Sequence, residues 1–137
     1  MKINRTGFIQ LNPIIDGIDG YLCVVENLRN IPFKVKRVYF IYNLNDPKAI
    51  RGRHAHRKLE QALFCVKGSF ELLLDDGENH KRIIMNDPDK GVYMGPGVWH
   101  EMDNFSIDCV ILVLASDYFE EKDYIRNYQK FQEFITK

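Results

Sequence analysis

This chain predicts an all-β domain, a sandwich or barrel, with a single helix at its C-terminal end. Short strand-like apolar runs recur along it, turn formers stand between them, and apolar side chains fall at helical spacing only near the end. The 137 residues have the length of one domain, 1–137. An apolar share of 45%, with nine Phe and seven Tyr, is enough to fill its core.

The elements follow in order. Tyr21–Val25 is the first candidate strand. Phe33–Tyr42 mostly alternates and ends in Asn43-Leu44-Asn45-Asp46-Pro47, a run of turn formers. Gln61–Val66 is apolar and stops at Lys67-Gly68. Ser69–Leu74 runs to Asp75-Asp76-Gly77, a hairpin signal, and His80–Met85 pairs with it. Gly91–Met94 leads into Gly95-Pro96-Gly97. Cys109–Ala115 is the most apolar run and is expected at the centre of a sheet. Tyr124, Tyr128, Phe131 and Ile135 then recur at helical spacing with charges between them. They predict a helix over about Glu121–Ile135, its aromatic stripe laid on the sheet or on a partner subunit.

Charge is balanced, nineteen basic against nineteen acidic residues. That argues against general binding to nucleic acid or to a membrane surface, and leaves room for a local basic pocket around one anionic small molecule. No apolar run approaches the roughly 20 residues of a membrane helix, and Met1-Lys2-Ile3-Asn4-Arg5 lacks the apolar stretch of a secretory signal. Cys23, Cys65 and Cys109 sit in apolar surroundings with no zinc spacing, as expected of free thiols in a reducing cytoplasm.

The chemistry concentrates in Arg51-Gly52-Arg53-His54-Ala55-His56-Arg57-Lys58-Leu59-Glu60, answered by Gly95-Pro96-Gly97-Val98-Trp99-His100. Side chains two apart on a strand share a face, so His54 and His56 can point the same way. The Gly/Pro turn can bring His100 back across the same sheet. Two chemistries fit this cluster. His54, His56, Glu60 and His100 would suit a divalent iron, manganese, nickel or zinc ion, and their spacing resembles the metal signature of the cupin barrels. A metal-dependent cupin needs Glu60 to join the histidines, and needs Arg51, Arg53, Arg57 and Lys58 to point away from the ion. Acid–base chemistry needs only a histidine that takes and returns a proton near neutrality. Tyr39 or Tyr42 could relay the proton, and Arg51 with His56 or His100 could stabilise an oxyanion. Arg57 and Lys58 form either a solvated face or a phosphate contact. His80, in a charged turn, reads as structural.

The motifs as a set resemble the WxcM-like sugar 3,4-ketoisomerases. The resemblance runs through Ile31–Tyr39, Arg51–Gln61, Gly68-Ser69, Leu74–Gly77, Gly95–Met102, Leu112–Tyr118 and Asp123–Arg126, in order and without large gaps. It implies a cupin β-barrel of the RmlC-like jelly-roll kind, a homodimer, and no metal or other cofactor. It also implies isomerisation of dTDP-4-oxo-6-deoxy-α-D-glucose to the 3-oxo sugar nucleotide, feeding an aminotransferase that makes 3-amino-3,6-dideoxy sugars for surface polysaccharide. Carried over residue by residue, His54 matches the catalytic base and Tyr39 an active-site tyrosine. His56, Arg51 and His100 match polar pocket residues. Trp99 is expected to wall the pocket, and Arg51 and Lys58 to meet the pyrophosphate. His100 resembles the branch that gives galacto-configured product, where gluco-forming relatives carry arginine. The chain departs from both branches at Asp19, where an arginine or tyrosine would align. A dTDP-sugar epimerase of the same barrel is the neighbouring reading. Met1–Ile15 has no evident core of its own, and the expectation is that it swaps across a dimer axis to cover a sheet edge.

Overall fold

The computed structural model describes residues 1–136. Its strands, in chain order, are β1 (Thr6–Gln10), β2 (Ile14–Ile15), β3 (Tyr21–Leu22), β4 (Arg37–Ile41), β5 (Arg51–His56), β6 (Gln61–Lys67) and β7 (Phe70–Asp75). They continue with β8 (His80–Met85), β9 (Lys90–Met94), β10 (Trp99–Asp103), β11 (Val110–Ala115) and β12 (Tyr124–Ile125), and helix α1 (Tyr128–Ile135) closes the chain. Two five-stranded sheets, β1-β9-β6-β11-β4 and β12-β5-β10-β7-β8, face each other, with antiparallel pairing throughout.

Alternation puts Leu63, Cys65, Val92, Ile111 and Val113 of the first sheet against Phe70, Leu72, Leu74, Ile83 and Met102 of the second, and this interior is the main core. The opposite face of β6, Ala62 and Phe64, lies under Ile31 and Phe33. The outer face of β5 and β10 carries Ala55 and Trp99, which pack on Ile125 and on Phe131 of α1.

β8 matches its expected span, and β11 lies inside its sheet, though β6 holds the central place. The first strand begins earlier than expected. Tyr21–Leu22 forms only a two-residue ribbon with β2, while Thr6–Gln10 pairs with β9. Met1–Ile15 adds to the core through buried Ile3, Ile9 and Leu11, and β1 pairs along the β9 edge.

The helix is shorter than the aromatic spacing implied. Glu121–Asp123 makes a 3₁₀ turn, Tyr124–Ile125 pairs with His56 and Ala55 of β5, and Asn127 caps α1 by accepting from the Lys130 amide at 3.0 Å. Burial of Ile125 against the sheet outweighs helical continuation of the stripe. Cys65 and Cys109 are buried and Cys23 is half-buried, all with free thiols. Among the described residues no helix is long and apolar enough to cross a membrane.

Candidate active site

One wall of the interior is polar, and a backbone irregularity shapes it. In the β5–β10 ladder His100 faces His54, Glu101 faces Gly52 and Met102 faces Arg51, so Arg53 is left out of register as a bulge. Gly52 (φ +82°) and Arg53 (φ +60°) both take left-handed backbone to make it. A Cβ on Gly52 would stand 2.9 Å from the His100 carbonyl oxygen, so glycine is required there. Arg51 and His54 are three apart and would face opposite ways in a regular strand. The bulge restores the parity, and both line the same cavity.

That cavity measures about 330 Å³ and is walled by Arg37, Tyr39, Arg51, His54, Gln61, His100, Tyr124 and Arg126, among others. The His54 ring stands edge-on to His100 (centroids 4.5 Å apart), to Tyr124 (4.8 Å) and to His56 (4.9 Å). His54 Nδ1 lies 3.1 Å from the Gly52 carbonyl oxygen. A carbonyl can only accept, so Nδ1 carries the proton of the neutral ring and Nε2 keeps its lone pair. His56 sits behind, buried, its Nδ1 3.0 Å from Asp123 Oδ2. The Tyr39 hydroxyl accepts from Gln61 Nε2 at 2.9 Å, and the Arg37 guanidinium lies 5.4 Å from the Tyr39 ring centroid. Arg126 lies 4.2 Å from the Tyr124 ring centroid and is held by two 2.9 Å bonds to Glu121.

Burial sets the protonation states. It pushes His54 down to about 4, with the neighbouring His56 as the next cause and the Gly52 carbonyl opposing. Burial lowers His100 well below its ordinary value, with His54 and His56 adding to the effect. It also lowers His56, against the opposing pull of Asp123. All three imidazoles are uncharged at neutral pH. Tyr39 is raised by burial first and by Tyr124 second, so it stays a phenol and can donate.

The structure brings His54, His56, His100, Tyr39 and Arg51 together. It does not bring Trp99 or Lys58. Trp99 neighbours His100 on β10 and so faces the other way, against Phe131 and Tyr128 of the helix. Lys58 is exposed in the β5–β6 turn, where its amide donates to Asp123 Oδ1 at 2.8 Å. Arg57 turns outward, donating to the Tyr124 carbonyl at 3.1 Å. Asp19 lies exposed in the turn between β2 and β3, away from the cavity. Glu60 accepts from the Tyr93 hydroxyl at 2.6 Å, on the outer side of the first sheet. Among the described residues the only cluster able to hold a metal is therefore His54, His56 and His100, whose candidate ligand atoms lie within 4.8 Å of one another, with no carboxylate among them.

Sequence reasoning missed Tyr124, Asp123, Arg37, Gln61 and Arg126. Arg37 was within reach, since it is two residues from Tyr39 on one strand. Tyr124 was hidden by its spacing to Tyr128, which reads as a helix.

The WxcM-like, C-terminal family (FdtA) matches residues 4–136. The chain is 50% identical over 129 residues, 94% of its own length and 91% of the other, to the TDP-4-oxo-6-deoxy-alpha-D-glucose-3,4-oxoisomerase of Aneurinibacillus thermoaerophilus. It superposes on a 3,4-ketoisomerase from Helicobacter canadensis with a TM-score of 0.93 at 41% identity, covering 98% and 99% of the two chains. It also superposes on a histidine-to-asparagine variant of the 3,4-ketoisomerase QdtA from Thermoanaerobacterium thermosaccharolyticum in complex with TDP-4-keto-6-deoxyglucose (TM-score 0.92, 42% identity, 96% and 94% covered). The rmlC epimerase of Mycobacterium tuberculosis, at 14% identity and a TM-score of 0.75, shares the fold alone. An antiparallel jelly-roll barrel with uncharged imidazoles and phenols at its mouth makes this chain a cupin-fold isomerase. It belongs to the FdtA, WxcM-like family.

Proposed function

We propose that this sugar-nucleotide 3,4-ketoisomerase converts dTDP-4-oxo-6-deoxy-α-D-glucose to the 3-oxo sugar nucleotide of galacto configuration, without a metal ion. The observation that carries the reading is His54: an uncharged imidazole on the cavity wall, its Nδ1 engaged by the Gly52 carbonyl and its Nε2 lone pair free. The C4 ketone acidifies the hydrogen on C3. His54 Nε2 takes that hydrogen as a proton, and the electron pair moves into an enediolate across C3 and C4. A base lowered to about 4 is fully available at neutral pH but weak. Most of the barrier must then be met by stabilising the enediolate, and Arg51, with the Tyr39 phenol, stands at the same wall to do so. One preorganised donor of this kind contributes about 3–4 kcal/mol. Reprotonation at C4 and loss of the O3 proton complete the migration.

Stereochemistry follows from a single base on a single face. In the chair of a gluco-configured ring the C3 hydrogen lies on the lower face. His54 returning hydrogen to C4 from that face leaves the C4 hydroxyl up, the galacto arrangement. Arg37, Arg51 and Arg126 at the mouth suit the diphosphate. The product has the ketone that a 3-aminotransferase needs, in keeping with 3-amino-3,6-dideoxy sugar formation for surface polysaccharide in the cytoplasm. The outer face of β4 leaves Val38, Phe40 and Tyr42 about 60% exposed, an apolar strip suited to a homodimer contact.

The test is incubation with dTDP-4-oxo-6-deoxyglucose and NMR of the product. A 3-oxo sugar with an axial C4 hydroxyl is expected. A C5 epimer with the ketone still at C4 would replace this reading with epimerisation. His54→Asn is expected to abolish C3 hydrogen exchange in D₂O while dTDP still binds, and retained exchange would remove His54 from the base role.

A further inference from the structure

Tyrosine hydroxyls in this chain take two kinds of partner. Tyr93 donates to Glu60 Oε1 and Tyr128 to Asp75 Oδ2, each at 2.6 Å, and none of these four residues lines the cavity. Tyr39, on the cavity wall, is given a donor instead: Gln61 Nε2–H, 2.9 Å from its oxygen. A phenol has one hydrogen to give and lone pairs on its oxygen that accept. Gln61 therefore fills the accepting side of Tyr39, and among the described residues no side chain or carbonyl takes the phenolic hydrogen. Gln61 itself is 2% exposed and borders the same cavity. Its ladder partners on either side, Met94 of β9 and Ala115 of β11, are apolar. A buried amide among such neighbours is costly to keep unless its hydrogen bond is put to use.

We propose that Gln61 is a positioning residue: by donating to the Tyr39 oxygen it turns the phenolic hydrogen into the cavity, toward the sugar oxygen that carries the enediolate charge. The proposal rests on the ketoisomerase reading above. No bond forms or breaks at Gln61, and Tyr39 keeps its proton and lends it as a hydrogen bond. The bond from Gln61 exists before substrate arrives, so the donor does not have to reorient as the charge develops. The amide is also neutral, and so directs the hydrogen without adding a second negative group beside an anionic intermediate, as a glutamate would.

A double-mutant cycle tests this. Gln61→Met keeps the length of the side chain and removes the donor. Its kcat is expected to fall about 10–100-fold with KM within about threefold, and Tyr39→Phe to lose about 10²–10³-fold. The double variant is expected to be no slower than Tyr39→Phe alone, because Gln61 acts through that hydroxyl. A residue that only fills space would slow both backgrounds alike. Gln61→Glu gives a second readout. It keeps the shape, but at pH 8 its carboxylate only accepts, so it draws the phenolic hydrogen to itself as Glu60 draws that of Tyr93. It is expected to be at least as slow as Gln61→Met, the reverse of the order that shape alone would give. Unchanged turnover in Gln61→Met, an equal loss with and without the Tyr39 hydroxyl, or a Gln61→Glu chain faster than Gln61→Met or as fast as the native chain would each overturn the proposal. A native chain that leaves the ketone of dTDP-4-oxo-6-deoxyglucose at C4 would instead overturn the ketoisomerase reading.

Discussion

Acid should destabilise this protein through its active site, and His54→Asn isolates the effect. The unfolded chain protonates this histidine as pH falls through 6.5, whereas the folded chain resists to about 4. Between those values the unfolded state binds the extra proton, so stability falls as pH falls and is level above 6.5. At about 1.4 kcal/mol per unit the interval amounts to about 3 kcal/mol, of which about 2 kcal/mol is lost by pH 5. His54 is only partly exposed, so solvent screening trims this modestly. The groups that set its value are buried His56, the Gly52 carbonyl, Arg126 and Glu121. Removing His54 also relieves His100, which works in the same direction. Urea unfolding at pH 7.5, 6 and 5, for native and variant chains with equal slopes, measures the difference. The native chain is expected to lose about 2 kcal/mol more than the variant between pH 7.5 and 5. Curves that fall in parallel, or a native chain that loses less, would refute the assignment of a buried neutral imidazole.

Gly52→Ala forces a Cβ to 2.9 Å from the His100 carbonyl in left-handed backbone. It should cost about 2 kcal/mol in chemical unfolding and lower kcat/KM by displacing His100. Tyr124→Phe keeps the edge-on ring contacts with His54 and His56 but removes the hydroxyl beside Tyr39. Steady-state assay is expected to show a kcat loss of about 10-fold or more with stability nearly unchanged. Purified protein analysed for iron, manganese, nickel and zinc should carry none in stoichiometric amount, and dialysis against chelator should leave turnover intact. Stoichiometric metal with chelator-sensitive activity would restore the metal reading of the three histidines.

The barrel and the three histidines were legible in the sequence because both obey alternation. His54 and His56 are two apart, and the strand between Asp76 and Asn86 sits between clear turns. The same rule, applied strictly, would have excluded Trp99 once His100 faced inward. What alternation could not supply was Arg51, whose place depends on a bulge. The C-terminal region misled for another reason: Tyr124 and Tyr128 are four apart, and nothing local says that one pairs as strand while the other opens a helix. That choice is made by Asp123, whose bonds to the Arg57–Leu59 turn exist only after folding.

Arg53 is supernumerary in the β5 ladder, and this has a consequence for how the strand tolerates change in length. Excising that one position leaves Arg51, Gly52 and His54 opposite their present partners, every side chain still on its own side. Inserting a residue nearby, or recruiting Arg53 into pairing, would instead send Arg51 to bulk water while the histidines stayed put. An odd count at this strand thus separates the cation from the imidazoles, and shortening is the gentler edit.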